Sequence, residues 1–173
     1  VGFSHVQAGY AAADFALQAG YRHAATITAS DERALRRRDA FASRFGKAKD
    51  TVVGGVDFSA SATLGLGREA LSRLLQQGFE PGTVIFCSSD QFAQGVLIEA
   101  MARGLSVPEE VAVIGFGDQE FAAMTEPALT SIRIDRQVLG QVAANALVDR
   151  FSAGPTTSAI HDVGFEIIKR QSA

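Results

Sequence analysis

Cysteine, serine and aspartate stand in a row in the stretch CSSDQFAQGVLIEAMARGL, residues 87–105, just after the apolar run Val84-Ile85-Phe86. A nucleophilic Cys87 would need a nearby base, usually histidine. None of His5, His23 and His161 stands in a recognisable relation to it, and a lone cysteine ending an apolar strand reads as a small core residue. Asp90 has three readings: a catalytic acid, a ligand contact or a helix cap. A Ser or Asp just before an apolar-periodic segment is usually an N-cap. Ser88, Ser89 and Asp90 also fall at the carboxyl end of an expected parallel strand, the edge of an open α/β sheet where ligands bind. Both roles are compatible, with Asp90 capping the helix while Ser89 points into a crevice.

A second group is ERALRRRD, residues 32–39. Such a run reads as a solvated helix face with i,i+4 pairs. Three arginines together, residues 36–38, just after a strand end can also hold an anion, because a planar guanidinium fork suits a carboxylate or paired hydroxyls. One of the three can face a crevice while the others stay in solvent. Phe58 and Phe116, near strand ends, read either as core or as an apolar platform for a sugar ring. GLGREA, residues 65–70, matches the dinucleotide pattern G-x-G-x-x-A, but that site needs its first glycine directly after a strand. Here a Ser/Ala loop intervenes, and no acidic residue ends an obvious next strand about 20 residues on. Metal-site patterns such as C-x-x-C, H-E-x-x-H or a calcium loop are missing, as is G-x-S-x-G. The expectation is no enzyme activity, no cofactor and no metal.

The elements that would position these groups alternate. Apolar runs at 24–28, 51–56, 83–87 and 111–116 read as strands, each bounded by turn residues. Helical patterns at 8–18, through Phe41 and Phe45, through Leu71 and Leu74, and after Asp90 lie before and between them. This rhythm predicts an α/β fold, a Rossmann-like parallel sheet flanked by helices on both faces. The tail departs from it: a candidate strand at 129–134, a helix over 135–151 capped by Asp135 and stopped by Gly154-Pro155, and a last strand at 163–168. The helix carries an apolar stripe through Leu139, Val142, Ala143, Ala146, Leu147 and Phe151. Val96, Leu97, Ala100 and Met101 give the helix after Asp90 more apolar surface than one buried face needs, which predicts self-association.

The chain has 173 residues, 47% hydrophobic and 20% charged, with net charge -3. That balance gives nucleic acid no attraction by bulk charge. One cysteine permits no internal disulfide and favours a reducing, cytoplasmic setting. No run approaches a membrane span of ~20 residues. Val1-Gly2-Phe3 reads like the interior of a longer protein.

Taken in order, these stretches resemble the effector-binding core of the LacI/GalR family of bacterial transcription regulators. The opening VGFS…AGYAAADFALQAGYRH is similar to the segment entering the second half of that core. ERALRRRDAF resembles the family's Arg-x-x-Gly-Phe helix, with Arg37 as the arginine and Ala40 in place of the glycine. CSSDQFAQGVLIEAMARGLSVPEEVAVIGFGDQEFA resembles its strand, Asp, Ala-x-Gly helix, Val-Pro and Gly-Phe succession, and PALTSIRID its Pro-x-Leu-Thr-Thr stretch. The GFGD form, the arginine-rich helix and the DVGFEIIKR ending are most similar to the gluconate-repressor branch.

The resemblance implies two Rossmann-like subdomains with an effector, a sugar or sugar acid, between them, and operator DNA bound by a helix-turn-helix domain outside this chain. Residues 1–173 would then be a partial effector domain, mostly the C-terminal subdomain, with the 135–155 helix belonging to the other. A homodimer is implied, with the helix after Asp90 at the subunit contact. By position, the effector residues would be Arg37, with Asp31 and Arg33 on the loop entering its helix, Ser89, Asp118 (Gly117 replacing the family's frequent Asp) and Arg136. A sugar-binding receptor of a transport system shares this fold and is the alternative; an NAD-dependent or hydrolytic enzyme using GLGREA or Cys87 is the second.

Overall fold

The structure is a computed structural model and describes residues 1–153 and 160–173; the expected helix stop at Gly154-Pro155 and the end of the 135–155 helix lie outside them. The elements run α1 (His5–Gln18), β1 (His23–Ala29), α2 (Glu32–Phe45), β2 (Val52–Phe58), α3 (Leu64–Gln76), β3 (Thr83–Cys87), α4 (Asp90–Ala102), β4 (Val111–Phe116), β5 (Thr130–Arg133), α5 (Arg136–Ala153) and β6 (Glu166–Ile168). A single 3-10 turn, Glu120–Ala123, lies between β4 and β5. The strands form one sheet in the order β2-β1-β3-β4-β5-β6. All neighbours are parallel except β5 and β6, which are antiparallel. The α/β reading, all four central strands and the tail strand near 163–168 are therefore present.

Period-two alternation divides the core into two layers. Val84 and Phe86 of β3, with Ala112 and Ile114 of β4, face α1 and α2, against Ala12, Ala16, Phe41 and Phe45. Ile85 and Cys87, with Val113, face the other way against Leu71, Phe92 and Val96 of α3 and α4. Cys87 is thus a core side chain, and burial pushes its thiol well above its ordinary value. Burial on both faces is why β3 and β4 read as nearly unbroken apolar runs.

Two helix seams rest on glycine. Between α3 and α4, a Cβ on Gly67 would lie 2.3 Å from the carbonyl oxygen of Phe92, and one on Gly95 would lie 2.3 Å from that of Leu64. The second glycine of GLGREA is therefore a helix-packing residue inside α3, far from the strand-end turn that a dinucleotide site requires. Between α1 and α2, a Cβ on Gly9 would lie 2.4 Å from the Arg37 carbonyl and 2.8 Å from the Ala40 methyl. The methyl that Ala40 adds to its helix is accommodated by the one Gly9 lacks.

Two expectations need correction. Ser89, not Asp90, is the N-cap of α4: its hydroxyl accepts from the Phe92 N–H at 3.4 Å, and Asp90 is the first helical residue. The apolar surplus on α4 is also mostly internal. Val96, Leu97 and Ala100 are buried within this chain, because α4 is wedged between the sheet and α3 and needs a wide apolar arc; only Met101 is exposed. α5 is capped by Asp135, whose carboxylate accepts from the Val138 N–H at 2.9 Å. None of its side chains is buried among the described residues, and Leu147, Val148 and Phe151 stand free.

Candidate functional site

Strand order reverses between β1 and β3: β2 lies on one side of β1, and β3, β4 and β5 follow on the other. At such a switch point the loops leaving adjacent strands part, opening a crevice at the carboxyl edge. A cavity of about 560 Å³ lies there, walled by Phe3, His5, Asp31, Arg33, Arg37 and Phe116, with Leu139 of α5 at its rim.

Arg37 is its central feature. One turn into α2 it is only 5% exposed, with its guanidinium 3.8 Å above the Phe116 ring centre. Its Nη1 meets His5 Nδ1 at 2.8 Å, and its Nη2 donates to the Ser88 carbonyl at 3.1 Å. Its Nε–H is buried without a partner. An unmet buried donor costs about 1–3 kcal/mol. Burial, partly offset by Asp31 and reinforced by Arg33, lowers the Arg37 pKa to about 10, which leaves the group charged at neutral pH. Burial first, then Arg37, pulls His5 below its ordinary 6.5. The neighbouring arginines stay outside: Arg36 pairs with Glu32, and Arg38 with Asp39 and Asp57. Of the three consecutive arginines 36–38, Arg37 alone thus lines the crevice, with Arg33 of the first turn of α2 beside it.

Among the other sequence candidates, Asp31 caps α2 by accepting from the Ala34 N–H at 2.9 Å while bordering the cavity, and Arg33 lies beside it, exposed. Ser89 is occupied as a cap, and its neighbour Ser88 supplies the carbonyl that holds Arg37. Arg136 donates to the Gly117 carbonyl at 2.7 Å. Asp118 is tied away from the cavity, to Arg133 at 2.6 Å and Arg170 at 2.7 Å. Of the two aromatic candidates, Phe116 is in the wall under Arg37, whereas Phe58 is stacked on Phe92 in the core. His5 and Phe3, which touch edge to face at 4.4 Å, were not singled out from sequence. The only signal was their place on either side of Ser4, the N-cap of α1.

Behind the cavity, Asp90 is fully buried and joins three elements. It accepts from the Ser131 hydroxyl of β5 and from the Gln119 N–H of the loop after β4, both at 2.6 Å. Burial raises its pKa, and those two bonds oppose the rise. Gly117, at φ 122°, turns this loop around the carboxylate. For Asp118, burial favours protonation, but the bonds from Arg170 and Arg133 outweigh it and the pKa falls below 3.8. A depressed carboxylate pKa contributes stability above the unfolded value that is lost as the pH falls through the folded one. Asp118→Asn is therefore expected to cost about 1–3 kcal/mol at neutral pH. The gap to wild type should close as the pH drops below 3.8 in urea titrations; a gap independent of pH would remove Asp118 from the ion pairs.

Among the described residues, no three His, Cys, Asp or Glu side chains gather as a metal site, and no helix is long and apolar enough to cross a membrane.

Comparison with known proteins gives the same frame. The periplasmic binding protein-like domain matches residues 13–173. The transcriptional regulator GntR of Pseudomonas aeruginosa is 37% identical, over 99% of this chain and 50% of its own length. The transcriptional repressor PurR of Serratia proteamaculans is 31% identical, over 88% of this chain and 40% of its own. The chain thus spans about half the length of these curated relatives. Among solved structures, the transcription regulator GntR of Chromobacterium violaceum superposes with a TM-score of 0.90 at 30% identity, covering 99% of this chain and 64% of that one.

Proposed function

The chain belongs to the periplasmic-binding-protein-like domain family, in the form found in LacI-type transcription regulators, and from that premise we propose that it is the effector-sensing part of such a regulator. The effector is a sugar acid of the gluconate type. The intact protein acts on operator DNA through a separate domain, as a homodimer, and has no catalytic step. α5 belongs to a second lobe that closes over the cavity, which accounts for an apolar stripe unburied in this chain.

The single observation that carries this reading is Arg37: a buried, charged guanidinium stacked on Phe116, in the wall of a cavity at the sheet's switch point. A cation of fixed geometry beside an aromatic face fits a ligand with an acid group and an apolar carbon edge. Charge-assisted bonds of this kind contribute about 1.5–3 kcal/mol. Arg37→Ala in the intact protein is therefore expected to weaken gluconate binding roughly ten- to hundredfold. Calorimetry with gluconate, related aldonates and neutral sugars tests this. Preference for neutral sugars would sink the acid assignment, and unchanged affinity in the variant would remove Arg37 from the site.

A further inference from the structure

Arg37 and His5 constrain each other's protons. A guanidinium only donates, so a 2.8 Å contact from Arg37 Nη1 requires a lone pair on His5 Nδ1. The ring proton therefore sits on Nε2, and His5 is neutral. A doubly protonated ring cannot keep this bond, since N–H would face N–H. The charged groups around the ring are Arg37, Arg33 and Arg36 of α2 against the single carboxylate of Asp31 at the α2 cap. On its own side the ring touches Phe3, which carries no charge. Partial burial and three cations, opposed by one anion, hold His5 in the neutral form.

An acid in this cavity reverses that balance. Its carboxylate neutralises Arg37, the principal cation facing His5, and gives the ring a second negative neighbour beside Asp31. It also offers an acceptor to Arg37, whose Nε–H has no partner and whose Nη1 is held only by His5. We propose that an acidic ligand enters this cavity together with one proton, which His5 takes from solvent as the Arg37–His5 bond opens and both side chains turn their donors to the carboxylate. The inference rests on the reading that Arg37 receives an acid. It adds a specificity-determining role for His5: anion and proton bind as a pair, so the site distinguishes acids from neutral sugars by charge as well as shape.

The test is calorimetry of the intact protein with gluconate in two buffers of different ionisation enthalpy, from about pH 7.5 down to 5.5, where a histidine in this setting changes charge. The apparent heat should depend on the buffer, reporting uptake of up to one proton. Affinity should rise as the pH falls, by at most about tenfold per pH unit for one proton bound. His5→Gln and His5→Asn keep an acceptor for Arg37 but cannot titrate, and both should lose the buffer dependence. Heats equal in the two buffers, or uptake that survives these substitutions, would overturn the pairing while leaving the acid assignment intact. No gluconate heat alongside binding of a neutral sugar would overturn both. Nitrogen NMR of the ligand-free protein gives a check without ligand: a His5 ring protonated at Nδ1 would also refute the proposal.

Discussion

Replacing Asp90 by alanine is expected to cost about 1.5–4.5 kcal/mol of folding stability, since it strands one buried donor at about 1–3 kcal/mol and removes the bond of a part-buried one at about 0.5–1.5 kcal/mol. The donors are the Ser131 hydroxyl and the Gln119 N–H, both 2.6 Å from the carboxylate. Ser131 keeps one bond, since its oxygen still accepts from the Asp118 N–H at 3.1 Å, but its own hydrogen is left without an acceptor. The loop that carries Gly117, and through its carbonyl Arg136, is then no longer anchored to α4. Asparagine should be milder: its oxygen can serve Gln119 while its amide donates to Ser131, whose own hydrogen must then find another acceptor. Urea unfolding of wild type, Asp90→Ala, Asp90→Asn and Ser131→Ala checks the order, with the Asp90 and Ser131 changes expected to be non-additive. An alanine variant as stable as wild type would mean that the charge-burial cost, visible in the raised Asp90 pKa, cancels its bonds.

Gly95→Ala should cost about 3 kcal/mol, at the upper end for overpacking, because the new methyl meets backbone and not a side-chain tip that can swing away. The atoms in its way are the Leu64 carbonyl at 2.3 Å and the Gly67 Cα at 2.8 Å. α3 and α4 would have to separate, uncovering Phe92, Val96 and Leu71 on that face. Gly67→Ala meets the Phe92 carbonyl and should behave alike. Gly65→Ala is the control within the same motif: the nearest atom is Thr63 Oγ1 at 3.9 Å, so only helix propensity changes, in its favour by up to about 1 kcal/mol. Thermal melts of the three variants distinguish a packing motif from a phosphate loop, since a nucleotide site would show no such split.

The strands were legible because sheet burial imposes a local pattern: β3 and β4 need apolar residues at every position, and few other segments do. Helix positions followed from capping residues and from glycine at the turns. What sequence left ambiguous was decided at a finer scale. Ser88, Ser89 and Asp90 are all competent caps, and a shift of one residue separates a cap from a buried anchor. The residues alone left open which of three consecutive arginines faces the crevice, and the family resemblance pointed to Arg37. The carbonyl of Ser88 that holds it gave no signal, because backbone atoms carry no residue signature. His5 lies 32 positions from Arg37, and their contact depends on how α1 crosses α2, a long-range property with no local trace. The α4 surplus was misread for the reverse reason: composition shows how much apolar surface a helix has, while the neighbours that use it, here α3 and the sheet, are visible only in three dimensions.

The seam between Gly9 and Ala40 sets more than a packing distance. α1 carries His5 at its start and α2 carries Arg37, and the two backbones are held so close that one added methyl would strike the Arg37 carbonyl. The separation of the two helices, and with it the spacing of the positions that carry the two side chains, is therefore set by the seam before any ligand arrives. A ligand reaching the cavity finds the backbones of its two receptors already set at a fixed separation, so binding has only the turn of two side chains to order, at about 0.5–1.5 kcal/mol each, and not the placement of the helices. Affinity in such a site responds to changes far from the ligand: loosening the seam converts stored order into an entropy that binding must overcome, without removing any group the ligand touches.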